Sequence, residues 1–196
     1  MPSIYVDHAA TTPMSPAAVS AISEQMQQLG NPSSLHSHGR ATRKALEDAR
    51  EKIAAQVDCL PSEVIFTASG TEANNIALKG MFWNGKKSGK NVVVISSVEH
   101  HAIVDPAHWL ETHEGAEVIA IPVTGDGVIN LDFLREVVSN RGTEIAVISI
   151  MHSNNETGVL QPISEVVDIA GDIPVHTDAV QSFKKVELSY KKLGVT

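Results

Sequence analysis

The chain has 196 residues and a formal net charge of -8 at pH 7. This length fits one or two domains, and the acidic balance argues against nucleic acid or an anionic membrane surface as the main partner. No apolar run approaches the roughly 18 residues of a membrane span, and no basic segment followed by an apolar one opens the chain, so we expect a cytoplasmic protein. The single cysteine, Cys59, excludes an internal disulfide and a multi-cysteine metal site.

Several prolines and glycines in the first 40 residues predict an arm and a short helix outside the main sheet. Beyond them, a predicted helix over 41–56 precedes apolar runs that alternate with segments of helical period. The predicted strands are 64–68, 92–96, 118–121, 145–150 and 173–176, and the predicted helices between them are 71–82, 103–113, 131–140 and 163–170. This alternation indicates an α/β fold, with a mostly parallel sheet flanked by helices on both faces.

The segment Ser69-Gly70-Thr71-Glu72-Ala73-Asn74-Asn75 follows a predicted strand and opens a predicted helix. Gly70 lets the backbone approach a ligand, Thr71 offers a hydroxyl, and the N–H groups of a first helical turn attract an anion. Gly70 and Thr71 are therefore candidates for holding a phosphate. The sequence is neither G-x-G-x-x-G nor Walker A, which argues against the usual nucleotide sites. An ordinary N-cap, with Glu72 favouring the helix dipole, explains the same residues equally well.

The segment Val98-Glu99-His100-His101-Ala102 comes just after the predicted strand 92–96, at the sheet edge where α/β folds bind ligands. His100 in that place can stack on a flat heteroaromatic ring or move a proton near neutral pH. A pair of surface histidines is the alternative. The other histidines show no convincing ligand spacing, so we expect no metal site.

Polar side chains also follow the last two predicted strands. Asn155, after the strand 145–150, can hydrogen-bond a ring hydroxyl or a substrate carboxylate, although asparagine pairs are also common in turns. Asp178 follows the strand 173–176, three residues before Gln181. A buried carboxylate needs a positive partner. The protonated ring nitrogen of pyridoxal 5′-phosphate (PLP) is one candidate, and a simple cap of the next turn is the other.

Six segments, in chain order, closely resemble motifs of the cysteine desulfurases of the NifS/IscS group, which are fold-type I, class V aminotransferase-like PLP enzymes. The segments are Asp7–Pro13, Gly30–His36, Ser69–Asn75, Glu99–Ala102, Ser153–Gly158 and His176–Ser182. The resemblance implies that residues 16–196 form the PLP-binding large domain of a fold-type I PLP-dependent transferase, in incomplete form. It also implies that residues 1–15 form an N-terminal arm on the small-domain side.

The resemblance further implies a role for each matching residue. The implied roles are the PLP phosphate for Gly70 and Thr71, ring stacking and proton transfer for His100, the substrate and ring O3′ for Asn155, the ring nitrogen for Asp178, and the phenolic oxygen for Gln181. Full-length relatives convert L-cysteine to L-alanine and leave the sulfur as an enzyme persulfide for iron–sulfur cluster assembly or tRNA thiolation. They are usually homodimers that work with a scaffold or sulfur-acceptor protein.

Two parts of the family pattern have no match in these 196 residues. The Schiff-base lysine of relatives lies in a Ser-x-His-Lys-x-x-Gly-Pro sequence shortly beyond the Asp-Ala-x-Gln segment, and the cysteine that takes the sulfur lies far downstream. Cys59, Lys184 and Lys185 match neither position. We therefore expect the N-terminal half of a cysteine desulfurase, truncated before the Schiff-base lysine, and its activity alone is left open. The alternatives are a selenocysteine lyase or other class V aminotransferase, and a non-catalytic PLP-binding or interaction module.

Overall fold

The computed structural model describes residues 4–196. It separates into two compact units, Met1–Ile65 and Phe66–Thr196. The predicted boundary after residue 15, and the placing of residues 1–15 on the small-domain side, stay predictions, and the first three of those residues lie outside the described part. Among the helices described, none combines the length and the apolar character needed to cross a membrane.

The first unit consists of helices and extended segments. Helix α1 (Pro16–Met26) confirms the predicted short helix, and α2 (Ser37–Val57) begins four residues before the predicted start at residue 41. Local hydrogen bonds define the helix starts, because Ser15 Oγ accepts from the Ala18 amide at 3.2 Å and His36 Nδ1 accepts from the Gly39 amide at 3.3 Å. A 3₁₀ turn over Pro61–Glu63 follows.

The second unit contains the sheet and the helices around it. Its elements are α3 (Gly70–Lys86), β1 (Val92–Ser96), α4 (His101–Glu114), β2 (Glu117–Ile121), α5 (Leu131–Arg141), β3 (Ile145–Ser149), α6 (Ile163–Ala170), β4 (Val175–His176) and α7 (Tyr190–Leu193). The strand order is β2-β1-β3-β4. Every neighbouring pair is parallel. The predicted α/β fold with a parallel sheet is confirmed.

Both faces of the sheet are covered. Val92 and Val94 of β1 belong to a buried cluster that α5 and α6 complete, whereas Val93 and Ile95 belong to a second cluster that α3 and α4 complete. Successive strand residues point to opposite faces, so β1 has to be apolar throughout. A Cβ on Gly85 would lie 2.7 Å from the Ala146 Cβ, so this glycine lets α3 approach β3 closely.

The prediction of a strand over residues 64–68 is wrong. These residues lie outside the four-stranded sheet, and the side chains of Ile65 and Phe66 are 77% and 44% exposed. An apolar run becomes a buried strand only where a neighbouring strand offers its backbone groups. None of the described strands pairs with residues 64–68. The composition of the segment does not reveal this, because pairing depends on residues elsewhere in the chain. The segment instead leads directly into α3.

Candidate functional site

The connections of the sheet define a site between β1 and β3. The chain goes from β1 outward to β2 on one side and from β3 outward to β4 on the other. In open α/β sheets, ligands bind in the crevice beyond the carboxyl ends of two such strands. The segments there are residues 97–100 after β1 and 150–155 after β3, and residues 177–181 follow β4.

Hydrogen bonds join the two loops at this crevice. Glu99 Oε1 accepts from Ser96 Oγ at 2.6 Å and from the Met151 amide at 2.8 Å. Asn154 Nδ2 donates to the Val98 carbonyl at 3.1 Å, and the Asn154 Oδ1 accepts from two amides and a hydroxyl of its own turn. The Asn154 side chain therefore holds the loop together, and its neighbour Asn155 is half-buried.

Glu99 is an unusual carboxyl. Its Oε2 atom is buried and has no hydrogen-bond partner among the described residues. Burial raises the Glu99 pKa to about 7, and the charge of Asp178 raises it further against the lowering effect of the Ser96 and Met151 hydrogen bonds. Because buried polar atoms are nearly always bonded, Oε2 needs a proton or another polar group. Near neutral pH this carboxyl can exchange a proton with its surroundings.

Asp178 is held by contacts from two directions. Its Oδ2 accepts from Asn74 Nδ2 at 2.7 Å, and its Oδ1 accepts from the Val180 amide at 2.9 Å. The second bond is the turn cap that the sequence left as an alternative, so Asp178 does cap a turn. No lysine or arginine forms an ion pair with it within residues 4–196. A half-buried carboxylate bonded only by neutral donors still has its charge available for a cationic group.

The start of α3 lies against the segment that follows Asp178. A Cβ on Gly70 would come within 3.0 Å of Val180 Cγ2, so the glycine permits this approach. Ser69 Oγ caps the helix by accepting from the Glu72 amide at 3.2 Å, and Glu72 Oε2 accepts from the Ala68 amide at 2.6 Å. The amides of Gly70 and Thr71 have no hydrogen-bond acceptor within the part of the chain that is described. They are thus open to an anion.

Thr71 and His100 line the same cleft, whose volume is about 420 Å³. Lys79 and Trp109 also line it, with Lys79 Nζ 4.1 Å from the centroid of the Trp109 ring. His100 Nδ1 accepts from the Ala102 amide at 3.1 Å and caps α4. In the neutral ring the proton therefore sits on Nε2, which is the nitrogen left to donate.

The structure does not bring all six predicted residues into contact. Asn155 Nδ2 donates to Glu156 at 2.7 Å, and no hydrogen bond joins Asn155 to Asp178 in the described residues. Gln181 Oε1 accepts from Lys185 Nζ at 2.5 Å. Both side chains lie beyond the ends of the expected strands, but they are engaged with their own neighbours. The fold places Gly70 and Thr71 at the start of α3. It places His100 in the loop after β1 and Asp178 in the loop after β4.

Three residues of the site were not singled out by the sequence. All three lay inside the quoted motifs. Two of them are Asn74 and Glu99, and a polar residue on the apolar side of a helix was the available signal for Asn74. The third is His176 of β4, whose Nδ1 lies 2.9 Å from Ser149 Oγ. Burial lowers the His176 pKa to about 4, and the Asp178 charge opposes that shift only partly. His176 is therefore neutral at pH 7.

Comparisons with known proteins identify the family of the chain. Residues 4–196 match the family model described as aminotransferase class-V. The chain is 42% identical over 196 residues to an IscS-like cysteine desulfurase of Mycobacterium tuberculosis, which covers 98% of this chain and 50% of that relative. It is 37% identical over 196 residues to a mitochondrial cysteine desulfurase of Arabidopsis thaliana, which covers 98% of this chain and 42% of the relative.

Solved structures give the same result. A NifS-like protein superposes with a TM-score of 0.90 at 33% identity, over 96% of this chain and 52% of its own. A structure described as SspA in complex with cysteine superposes with a TM-score of 0.91 at 31% identity, over 98% of this chain and 55% of its own. The chain thus spans about half the length of the relatives it matches.

Proposed function

Because the chain belongs to the aminotransferase class-V family, whose cysteine desulfurases are PLP-dependent, we propose that it supplies the N-terminal half of a cysteine desulfurase and holds PLP beside Asp178. The observation that carries the proposal is the Asp178 carboxylate. Two neutral donors, Asn74 and the Val180 amide, fix both of its oxygens, and its charge has no cationic side-chain partner in residues 4–196. A protonated pyridine nitrogen supplies such a partner.

The residues present fit the group. PLP has a phosphate at one end and a ring nitrogen at the other, and the chain offers open amides at Gly70 and Thr71 for the first and the Asp178 carboxylate for the second. A Cβ at Gly70 would crowd Val180, which shows that backbone and turn already approach closely there. His100 lines the same cleft as Thr71 and presents a flat ring. These are the features that a flat, doubly charged cofactor requires.

When bound, PLP supplies an electron sink for bond cleavage at an amino-acid substrate. Asp178 would keep the ring nitrogen protonated, and the Gly70 and Thr71 amides with the Thr71 hydroxyl would hold the phosphate. His100 would lie on the ring face and donate a proton from Nε2, because its Nδ1 is occupied by the Ala102 amide. Asn155 would face the substrate and the ring O3′. Gln181 would bond the phenolic oxygen after releasing Lys185.

Finer parts of the proposal concern the whole protein. We propose L-cysteine as its substrate, L-alanine and an enzyme persulfide as its products, and the cytoplasm as its compartment. A homodimer is the proposed assembly, with a scaffold or sulfur-acceptor protein as a further partner. The support for the substrate, the products and the partners is the resemblance to cysteine desulfurases along residues 4–196, and the cytoplasm is the expectation from the sequence. Light scattering of the complete protein would test the dimer.

The function is tested by joining residues 1–196 to the remaining half of the Mycobacterium tuberculosis relative and measuring alanine and sulfide released from L-cysteine with PLP and a dithiol reductant, which reduces the enzyme persulfide to thiol and sulfide. We expect equal amounts of both products. Asp178→Ala should lower the rate roughly 100-fold, the range seen when one preorganised electrostatic contact is lost. The control is Asp172→Ala, an exposed acid of the same unit, which should leave the rate unchanged.

The alternatives predict other outcomes. A fusion that acts on L-selenocysteine and leaves L-cysteine intact would indicate a selenocysteine lyase. A fusion that binds PLP and releases neither product would indicate a non-catalytic module. Equal rates for Asp178→Ala and Asp172→Ala would remove Asp178 from the proposed site.

A further inference from the structure

We propose that Asn74 is a positioning residue, whose side-chain amide orients the Asp178 carboxylate toward the cofactor's ring nitrogen. This inference rests on the proposed function. Asn74 would touch neither the substrate nor the reacting atoms, and it would act only through Asp178.

The contact is buried and joins distant parts of the chain. Asn74 is only 5% exposed, and its Nδ2 donates to Asp178 Oδ2 at 2.7 Å across 104 positions of sequence. Asn74 lies in α3, one turn beyond Gly70. The helix that would receive the phosphate at its first turn therefore also holds the carboxylate at its second. Such a link fixes the spacing between the two ends of the proposed site.

The chemistry of an amide suits this task. Asn74 Nδ2 is a neutral donor, so it fixes the direction of Oδ2 without neutralising the Asp178 charge. The Val180 amide holds Oδ1 in the same way. A lysine or arginine at position 74 would compete with a cationic ring nitrogen, and a carboxylate would repel Asp178. A leucine would leave Oδ2 without its donor.

Loss of a buried amide can lower the stability of the fold without any effect on the cofactor site. Gln161 provides the matched control for this effect. Gln161 is likewise 5% exposed, its Oε1 accepts from the Ile129 amide at 2.8 Å, and its Nε2 donates to the Gly127 carbonyl at 2.9 Å. Gln161→Leu therefore removes a buried amide that is hydrogen-bonded through its oxygen and its nitrogen, and whose side chain forms no hydrogen bond with Asp178 among the described residues. A purely structural effect should be similar in both variants.

The experiment measures the affinity of the 196-residue chain for two ligands by fluorescence titration. The first is PLP, and the second is its 1-deaza analogue, which has carbon in place of the ring nitrogen. The ratio of the two dissociation constants reports the ring-nitrogen contact alone, because losses that affect both ligands cancel. We expect the wild-type chain to favour PLP by about tenfold or more, as for a hydrogen bond to a charged group.

In Asn74→Leu the preference for PLP should fall by about tenfold, whereas in Gln161→Leu it should equal that of the wild type. In Asp178→Ala the preference should vanish, and adding Asn74→Leu to that background should change nothing further. If circular dichroism shows that Asn74→Leu is unfolded, the smaller Asn74→Ala, which also removes the donor to Oδ2, gives the test with the same expected loss of preference.

Two results would overturn the inference in different ways. A folded Asn74 variant that keeps the wild-type preference would show that Asn74 does not act through Asp178, and the proposed function would stand. A wild-type chain that binds neither ligand, or binds both equally, would contradict the proposed cofactor site and this inference with it.

Discussion

The two units of the chain are stabilised by different kinds of interaction. In Phe66–Thr196, side chains from four helices and the sheet form two buried clusters. In the described residues of Met1–Ile65, only Gly39 and Ala54 are buried, and apolar side chains such as Val19 and Ile22 are 48% and 46% exposed. Helices α1 and α2 begin at side-chain caps all the same. Local signals can define a helix without a core, but a core is needed to hold distant residues at fixed distances.

That difference bears on the candidate site. The contacts that define it join residues far apart in sequence, such as Asn74 with Asp178 and Glu99 with Met151. Each pair is held by elements that the two buried clusters fix in place. A site built in this way can keep charged and polar groups in one geometry, which a cofactor site requires.

The largest expected effect is on the core. Leu78 of α3 is completely buried, so Leu78→Ala should lower the free energy of unfolding by about 2–5 kcal/mol. Ile22→Ala in α1, at a side chain 46% exposed, should change it by less than about 1 kcal/mol. Urea denaturation followed by circular dichroism would measure both. Equal losses would show that α1 shares a core as tight as that of α3.

The next effect is on how the free energy of unfolding depends on pH. Two buried groups with pKa shifts in opposite directions contribute to it. His176 has a lowered pKa of about 4, so its contribution to stability is complete above pH 6.5 and is lost as the pH falls toward 4. Glu99 has a raised pKa of about 7, so its contribution is complete below pH 4.5 and is lost as the pH rises to 7. Each amounts to something on the order of 3 kcal/mol, and the two nearly cancel.

Single substitutions should separate these two contributions. Glu99→Gln should leave the His176 effect, so stability rises from pH 4.5 to 6.5, whereas His176→Gln should leave the Glu99 effect, so stability falls over the same range. Urea denaturation at pH 4.5, 5.5 and 6.5 would measure the slopes. Slopes of the same sign in the two variants would show that one of the pKa shifts has been assigned the wrong direction.

A smaller effect on stability is expected at two helix caps that have the same hydrogen-bond geometry. Ser69 Oγ and Ser15 Oγ each accept an amide hydrogen bond at 3.2 Å, at the starts of α3 and α1. Ser69→Ala should lower the free energy of unfolding by about 1 kcal/mol, because α3 is part of the core. Ser15→Ala should reduce only the helical circular dichroism signal of α1 and leave the midpoint of the main urea unfolding transition unchanged. An equal shift of that transition in both variants would contradict this distinction.

Much of the fold could be predicted from the sequence, for physical reasons. β1 and β3 are continuous runs of apolar residues and are buried along their whole lengths, so their composition identified them. The run 64–68 looked similar, but whether a strand finds a neighbour depends on residues elsewhere. The short helix α7 (Tyr190–Leu193) gave no signal, because one turn shows too little periodicity.

The places of the candidate residues in the fold could be predicted from the sequence, but their contacts could not. Strand ends located Asp178, Asn155 and His100 correctly at the loops after β4 and β3 and at the start of α4. The choice of Asn74 as the partner of Asp178 depends on how α3 packs against β3, which no local pattern contains. Likewise, the contact of Gln181 with Lys185 is a choice between rotamers that the sequence does not specify.

The most direct test of the proposed cofactor site is the dissociation constant of PLP for the wild-type chain, Asp178→Ala and Cys59→Ala, measured by fluorescence titration. We expect Asp178→Ala to bind PLP about tenfold or more weakly, because a charge-assisted hydrogen bond is lost, and Cys59→Ala to bind as the wild type does. Equal dissociation constants for the wild type and Asp178→Ala would contradict the assignment of Asp178 to the ring nitrogen.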